Sequence, residues 1–263
     1  MHGFVGKIAM CALLAASGAW AQSAEPAPEK PVAPFEVVAI HRHDPGSKEF
    51  YSRETAGRIR IPYWTARNFI RYAYGLTLDS QMEGAPAWAD NDRYDLFASV
   101  EASEVEREKN MSRKELEERA QKRMQAMLAE RFQLRVHKIE RVLPVYELLL
   151  AKSGVKFKED KTGGDMIYSL VGDGKLRLQN AYCNTLADFL SDSVDRLVID
   201  KTGLGEKKFD IDLTWTPDEQ QGTPDAGPSL FTAVEEQLGL KLVASKAQVE
   251  VVVVDHIERP SEN

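Results

Sequence analysis

The sequence predicts an α+β fold made of two tandem repeats of a strand-helix-strand-helix-strand-strand unit, with mostly antiparallel sheets and helices packed on one face. Stretches rich in β-forming residues alternate along the chain with stretches of helical periodicity. Both kinds of stretch recur in the same order in the second half, which is typical of a duplication. With 263 residues, 43% hydrophobic and 29% charged, the chain is long and apolar enough to bury a sizeable core.

Residues 1–21 have the features of a cleaved signal peptide. Lys7 supplies a basic start, residues 8–16 form an apolar run, and Ala19-Trp20-Ala21 has the small-x-small form of a cleavage site. The alternative is an uncleaved anchor, but the apolar run is about half of the roughly 20 residues that span a bilayer. We therefore expect cleavage before Gln22, no stable membrane span afterwards, and a periplasmic or extracellular protein.

The charge and composition of the remaining chain restrict the classes of molecule that it is expected to bind. Residues 22–34, rich in Pro, Ala and Glu, predict an extended tether. Loss of Lys7 with the leader changes the formal net charge from −7 to −8. Because Lys and Arg are interleaved with Glu, the chain lacks the clustered basic face that nucleic-acid binding needs. Only Cys183 follows the leader, so the mature chain has no pair of cysteines for an internal disulfide.

The first repeat is predicted over residues 35–152. It begins with a strand at "FEVVAIHRH" and continues with a short amphipathic helix. The apolar residues of that helix have the i, i+3, i+4, i+7 spacing of one helical face: Ala66, Phe69, Ile70 and Ala73. A further strand is predicted around "RYDL".

The longest predicted helix begins at Ser112 and Glu115, which form a capping-box pair. One side of this helix is apolar and is expected to face the core: Leu116, Ala120, Met124, Met127 and Leu128. Phe132 ends the apolar side. Two strands, "LRV" and "VYELLL", complete the unit.

The second repeat is predicted over residues 153–263 because its motifs match those of the first at nearly constant offsets. "GRIRI" at Gly57 recurs as "GKLRL" at Gly174, an offset of 117 residues that carries the first helix onto Cys183, Leu186, Ala187 and Leu190. "RYDL" at Arg93 recurs as "KFDI" at Lys208, and "MLAERFQLRV" recurs as "AVEEQLGLKL". The last helix is expected to bury Leu230, Val234 and Leu238. The run "VVVV" then predicts a strand buried on both faces. Chance similarity of amphipathic patterns is the alternative, which three colinear blocks disfavour.

The mature chain resembles the family of soil-associated secreted bacterial proteins of unknown function. The phrases that carry the resemblance include "FIRYAYGL", "GAPAWADNDRYDL", "LPVYELLLAKSG", "FDIDLTWTPDE" and "VVDHIERPSEN". Some relatives look like this segment joined to a membrane metallopeptidase of the sensor-transducer type, which implies sensing. A weaker likeness links the order of elements to the short signalling domain at the N-termini of secretins and TonB-dependent receptors, at the level of fold alone.

Four histidines and one cysteine are candidates for chemistry. On a strand His41 and His43 share a face and would form half of a metal site, but no third ligand is identifiable, and His137 and His256 have no histidine at the matching repeat positions. We therefore predict neither a metal nor another cofactor. Cys183 matches Ala66 on an inner helical face, so a core position is favoured over a reactive thiol.

Acidic residues are the other candidates. Asp90, Asp92, Asp95, Asp210 and Asp212 would be acid and base or calcium ligands, but the order of a calcium loop is absent. Asp90 and Asp92 are expected to shape a turn before a strand, and "DKTG" at Asp200 is expected to be a tight turn. No hydrolase elbow, zinc-protease helix, phosphate loop or dinucleotide fingerprint occurs.

These observations favour a non-catalytic binding or sensory module whose partner is a protein, a peptide or an envelope component. A groove between the repeats is the expected ligand position, and Trp88, Asp92, Arg93 and Tyr94 are the predicted binding residues, because aromatic and Arg side chains commonly carry binding energy. The alternative for Trp88 and Tyr94 is the core. The rival function is an extracytoplasmic hydrolase of an envelope polymer that uses acidic residues such as Asp92 and Asp210.

Overall fold

The computed structural model describes residues 31–47, 52–55, 57–161, 166–170, 174–222 and 226–260. The predicted signal peptide and most of the predicted tether lie outside these residues. In the first half the elements are β1 (Val37–Arg42), β2 (Arg53–Thr55), β3 (Arg58–Thr65), α1 (Ala66–Tyr74), β4 (Met82–Glu83), α2 (Trp88–Asn91), β5 (Arg93–Ser99), α3 (Ala102–Glu108), α4 (Arg113–Arg131) and β6 (Arg135–Leu150). In the second half they are β7 (Lys158–Glu159), β8 (Ile167–Leu170), β9 (Lys175–Ala181), α5 (Cys183–Val194), β10 (Val198–Asp200), β11 (Phe209–Thr214), α6 (Leu230–Ala233), a π-helical turn (Val234–Leu238) and β12 (Leu240–His256).

The strands form three sheets. Sheet A has the order β1-β5-β3-β2 and is antiparallel, and sheet C has the order β7-β11-β9-β8 and is antiparallel as well. Sheet B, with the order β10-β6-β12-β4, combines one long antiparallel pair with two short parallel contacts at its edges. The predicted α+β class with mostly antiparallel sheets is confirmed.

Sheet B joins the two halves of the chain through exchanged strand ends. Val252 of β12 pairs with Met82 of β4, and Tyr146 of β6 pairs in the mirrored way with Val198 of β10. The packing follows the pairing, because Val252 and Val254 belong to the core of the first half, whereas Leu148 belongs to the core of the second. The duplication of one unit stays a prediction from the sequence. In the structure, each half of the fold pairs with a strand segment of the other half.

The last two predicted strands of each unit are in fact one long strand. "LRV" and "VYELLL" lie within β6, and their counterparts lie within β12. The prediction was wrong because the middle of each strand is polar and reads as a loop. Lys138 and Glu250 pair across the two strands at 2.7 Å, and His137 pairs with Asp255 at 2.9 Å, so several of the charged residues have cross-strand partners.

The predicted helix faces are confirmed except at two positions of α4, Leu116, which is exposed, and Ala120, which is half-buried. Every apolar residue named for α1 and α5 is buried, as are Met124, Met127 and Leu128 of α4 and all three named residues of the last helix. The Ser112–Glu115 capping box is present. Leu116 is exposed, contrary to expectation, because it lies in the first turns of α4, before the part of that helix that contacts the core. No helix among the described residues is long and apolar enough to cross a membrane.

Two adjacent valines of the run "VVVV", Val251 and Val252, are both fully buried. Because neighbouring residues of a strand point to opposite faces, this part of β12 is covered on both sides, as predicted.

Candidate functional site

A pocket of about 470 Å³ opens at one end of sheet A. It is lined by residues from the end of β1 and the following turn, from β3, and from the junction of α2 and β5: Arg42, His43, Pro45, Tyr63, Asn91, Asp92 and Arg93. All of these residues belong to the first half of the chain. The expected groove between the repeats is therefore not where this pocket lies.

A bulge in β3 places Tyr63 at the rim of the pocket. Ile61 pairs with Leu96 and Trp64 with Tyr94, so three steps along β3 face two steps along β5. Tyr63 takes up the extra residue with a φ of 65°, a conformation that non-glycine residues adopt at a cost.

Asp95 holds this bulge in place. Its Oδ1 accepts the backbone N–H of Tyr63 at 2.9 Å and also contacts Nδ1 of His43 at 2.7 Å. The rings of His43 and Tyr63 meet edge to face, with centroids 4.9 Å apart. One carboxylate thus fixes the rim residue and the end of β1, so the pocket wall is preorganised.

The second half repeats this device. Asn180, which the offset of 117 residues matches to Tyr63, also has a positive φ, and its N–H donates to Oδ1 of Asp210 at 3.0 Å. The aspartates of "RYDL" and "KFDI", Asp95 and Asp210, therefore each hold a bulged strand in place.

Arg93 supplies a cation that contacts an aromatic ring of the pocket rim. Its guanidinium lies 4.7 Å from the centre of the Tyr63 ring, which is a cation–π contact. Among the described residues, no carboxylate forms an ion pair with Arg93. The pocket wall thus contains a positive charge that is oriented by an aromatic ring and is available to an anionic group.

Asp92 also lines the pocket, and it is bound by two arginines from distant parts of the chain. Arg42 Nη2 lies 2.9 Å and Arg259 Nε 2.7 Å from Asp92 Oδ2, and the carboxylate side chain is only 19% exposed. Arg259 also lies over the ring of Trp88, 5.0 Å from its centre. The segment after β12 is tied to the pocket in this way, and Asp92 brings no uncompensated negative charge.

Tyr94 is a core residue next to the pocket. Its side chain is 1% exposed and meets the Phe132 ring edge to face at 5.6 Å. Its hydroxyl is buried without a hydrogen-bond partner among the described residues. Burial, assisted by the charge of Asp92, raises the pKa of Tyr94, and Arg42 and Arg259 oppose that rise.

The four residues predicted for binding are neighbours in the fold, but they differ in role. Asp92 and Arg93 line the pocket, whereas Trp88 supports Arg259 and Tyr94 fills the core. No local sequence pattern marks Arg42, Tyr63 or Arg259 as site residues, so the sequence did not predict them. Positive φ at Tyr63 is visible only in the fold.

The histidine candidates for a metal site are dispersed. His41 is exposed, His43 is bound to Asp95, and His256 contacts Glu258 at 2.9 Å. Within the described ranges, no group of three or more His, Cys, Asp or Glu side chains is arranged to hold a metal ion.

Cys183 and "DKTG" match their predicted structural roles. Cys183 is fully buried, and burial raises the pKa of its thiol to about 11, with Asp200 adding to the rise. Asp200 Oδ1 accepts bonds from the N–H and the hydroxyl of Thr202 at 2.8 and 2.7 Å. Gly203 continues the turn with a φ of 72°, which glycine adopts without strain.

The candidate carboxylates each have a partner that accounts for them. Asp90 forms an ion pair with Arg67, and Asp212 pairs with Arg177 at 2.5 Å. Asp210 lies in sheet C and is not among the residues that line the pocket, whereas Asp92 is. A hydrolase would need two carboxyl groups in one cleft, and Asp92 and Asp210 do not form such a pair.

These features define an α+β protein with an open, arginine-containing pocket at the end of one sheet. A family model described as "Protein of unknown function (DUF3738)" matches residues 67–257. The chain belongs to this family. No curated protein and no solved structure matches it. The resemblance given in the sequence analysis also implied membership in a family of unknown function, and the family match confirms this part of it.

Proposed function

We propose that the protein is a periplasmic or extracellular binding module, without catalytic chemistry, that captures an anionic group of its ligand at Arg93. The signal-like segment at residues 1–21 supports the compartment. The observation that carries the proposal is the guanidinium of Arg93, stacked on Tyr63 in the pocket wall without a carboxylate partner in the described part of the chain.

The pocket favours an anion for electrostatic reasons. Three arginines (Arg42, Arg93 and Arg259) and two carboxylates (Asp92 and Asp95) lie at or beside the wall, so with His43 counted as neutral the site keeps one net positive charge. Among the described residues, Arg93 is the arginine of this group that has no carboxylate partner. Arginine binds carboxylates and phosphates with two parallel hydrogen bonds, and the Tyr63 ring restricts the guanidinium to one side. The positive site contrasts with the net charge of −8 that the chain has without residues 1–21.

A ligand of peptide or envelope origin fits this chemistry. Peptides end in a carboxylate, and envelope polymers carry carboxylate or phosphate groups. The pocket is within the usual volume range of about 300–1,000 Å³ for small-ligand sites, so a terminal group of a larger partner would enter it.

The first experiment measures binding of short peptides with a free C-terminal carboxylate and of their amidated counterparts by calorimetry. We expect the carboxylate form to bind, and Arg93→Gln to weaken its binding by about tenfold or more, a change of about 1.4 kcal/mol per factor of ten. Arg141→Gln is the matched control, because Arg141 is an exposed arginine of β6 outside the pocket.

Equal affinity of wild-type protein and Arg93→Gln for every anionic probe would remove the proposed role of Arg93. A separate experiment tests the compartment. The protein is isolated from the periplasm or the culture medium of its native cells, and mass spectrometry determines its N-terminal residue. A mature chain that begins at Gln22 is expected, and a chain that retains residues 1–21 would exclude the proposed leader.

A further inference from the structure

Strand β12 has an open side in the middle of sheet B. On one side it pairs with β6 along almost its whole length, whereas on the other side it pairs with β4 at Val252 and Val253. Before Val252, no other strand of the described chain pairs with β12 on that second side. This part of β12 is therefore a free strand edge.

The hydrogen-bond pattern identifies the backbone groups that point to the free side. The N–H of Ala151 donates to the carbonyl of Gly239, its direct partner, at 2.9 Å, so odd-numbered residues of β12 exchange bonds with β6 and even-numbered ones point away. On the far side of β6 the even-numbered Tyr146 likewise donates outward, to Leu197 at 2.8 Å. The outward N–H and C=O groups in the middle of β12 belong to exposed residues: Ala244, Lys246 and Gln248. We call these residues the β12 edge.

The edge of β6 is protected against a further strand, whereas the β12 edge is not. Pro144 stands opposite Lys246 and has no N–H to donate outward from β6. Proline is a common means of closing a strand edge in natural proteins. The β12 edge contains no proline and keeps an outward N–H at each of its positions. It therefore retains the alternating donors and acceptors that an added strand needs.

Lys246 determines which strand the β12 edge can accept. Its neighbours on the same face are Pro144 opposite and Ala244 and Gln248 along β12, and none of them is charged. Lys246 forms no ion pair within the described part of the chain. Lysine on an edge discourages strand addition, but opposite charges on directly opposed residues stabilise a strand pair. A strand that places a carboxylate beside Lys246 is therefore favoured over a neutral or basic one.

The free side has room for a short strand. β4 occupies the same side of β12 from Val252 onwards. Ala244 and Gln248 are about 13 Å apart at about 3.3 Å per residue, and strands of about five residues are common. The 17-residue β12 of a second copy, paired around Gln248, would continue into the position of β4. A short peptide segment therefore fits this edge better than a second copy of the chain.

We propose that the β12 edge binds a short, extended peptide segment by strand addition, with a carboxylate side chain of the peptide beside Lys246. In this mode of recognition, main-chain hydrogen bonds supply affinity and side-chain contacts supply specificity. The main-chain bonds would be made to Ala244, Lys246 and Gln248. None of these residues lines the pocket at Arg93, so the inference goes beyond the proposed anion site.

The first test is an NMR titration of residues 22–263 with a short peptide in which threonine and valine flank one central glutamate. Both peptide ends are blocked, so that no terminal carboxylate can bind Arg93. We expect the amide signals of the β12 edge to shift. Lys246→Glu should weaken binding by at least about tenfold, and should bind the same peptide with lysine in place of glutamate more tightly than the wild-type protein does. Such an exchange of preference would not follow from a merely structural role of Lys246.

A pair of proline variants tests the main-chain bonds. Gln248→Pro removes an outward N–H from the β12 edge and should weaken binding by at least about tenfold. Val142→Pro is the matched control, because Val142 stands directly opposite Gln248 and its N–H points outward from β6 instead. Neither proline removes a bond between β6 and β12. The control should leave the affinity within about twofold, and thermal unfolding establishes that both variants are folded.

Four results would overturn the proposal. The first is no binding of the glutamate peptide to the wild-type protein at low salt. The second is equal loss of binding in Gln248→Pro and Val142→Pro, which would indicate a general disturbance of the strand pair. The third is loss of binding in Arg93→Gln, which would place the peptide in the pocket. The fourth is self-association in sedimentation experiments that Gln248→Pro abolishes, which would assign the edge to a second copy.

Discussion

At the scale of single residues, the recurring aspartate is the most informative position. In each half it bonds the N–H of a residue with positive φ inside a bulged strand: Asp95 with Tyr63, and Asp210 with Asn180. A strained backbone conformation persists only when its surroundings hold it. The aspartates of "RYDL" and "KFDI" thus each supply the acceptor that holds one such bulge.

This pairing predicts different effects for two aspartates on the same strand. Asp210→Ala removes the acceptor of the Asn180 N–H and is expected to lower the free energy of unfolding by about 1–2 kcal/mol. Asp212→Ala, the control, removes only a surface ion pair with Arg177 and is expected to cost less than about 0.5 kcal/mol. Urea unfolding of both variants measures the difference. Equal losses would exclude the proposed task of Asp210.

At the scale of elements, helix α5 contacts the segment after α1 through an acidic group. Thr77 donates its hydroxyl to Asp188 Oδ1 at 3.2 Å, and Arg71 lies 3.9 Å from Asp192 and 3.5 Å from Asp79. Although Asp188 is exposed, loss of surrounding water raises its pKa, and Asp192 and Glu117 raise it further, while the Thr77 bond lowers it. Loss of water also raises the pKa of Asp192, against the effect of Arg71.

The direction of these shifts predicts a pH dependence. Because the native state holds the proton of Asp188 more tightly than the unfolded chain, the free energy of unfolding decreases as the pH rises from the unfolded pKa of about 3.9 through the raised native pKa. Asp188→Asn removes the penalty, so we expect it to stabilise the protein at neutral pH. The gain should vanish below the unfolded pKa. Denaturant unfolding at several pH values measures it.

Thr77→Val provides the opposite change at the same contact. It removes the bond that favours the ionised form of Asp188 and should therefore destabilise the protein at neutral pH. A pH-independent effect of Asp188→Asn would show that its charge does not matter for the contact between α5 and the first half.

At the scale of the whole molecule, the two halves are joined by exchange of strand ends. Val142 of β6 stands opposite Gln248 of β12, and these two positions match at the offset of 106 residues that relates the last helix and strand of each half. The pairing is thus symmetric about this point.

The exchange predicts that neither half folds stably by itself. Residues 32–152 alone would lack Val252 and Val254 of their core, and the freed side of β6 would expose a long unpaired edge. We expect no cooperative unfolding transition for this fragment at low concentration, and recovery of the transition when residues 153–263 are added. A fragment that unfolds cooperatively as a monomer would show that the exchanged strand is dispensable.

The sequence by itself determined the class of fold, the helices α1, α4 and α5 with most of their buried faces, and the structural roles of Cys183 and "DKTG". These features depend on local periodicity, capping and turn chemistry, which act over a few residues. Family membership likewise rests on ordered phrases in the chain. The sequence did not predict α2, where a turn was expected at Asp90, or α3.

The tertiary structure alone decided how the strands combine and where the pocket lies. β6 and β12 are continuous because each polar middle segment finds its partners on a strand roughly 100 residues away, which no local pattern reveals. Arg42, Tyr63, Arg93 and Arg259 come from four separate segments, and the folding of the chain brings them together. Long-range pairing, rather than local propensity, creates both the joined sheet and the charged wall of the pocket.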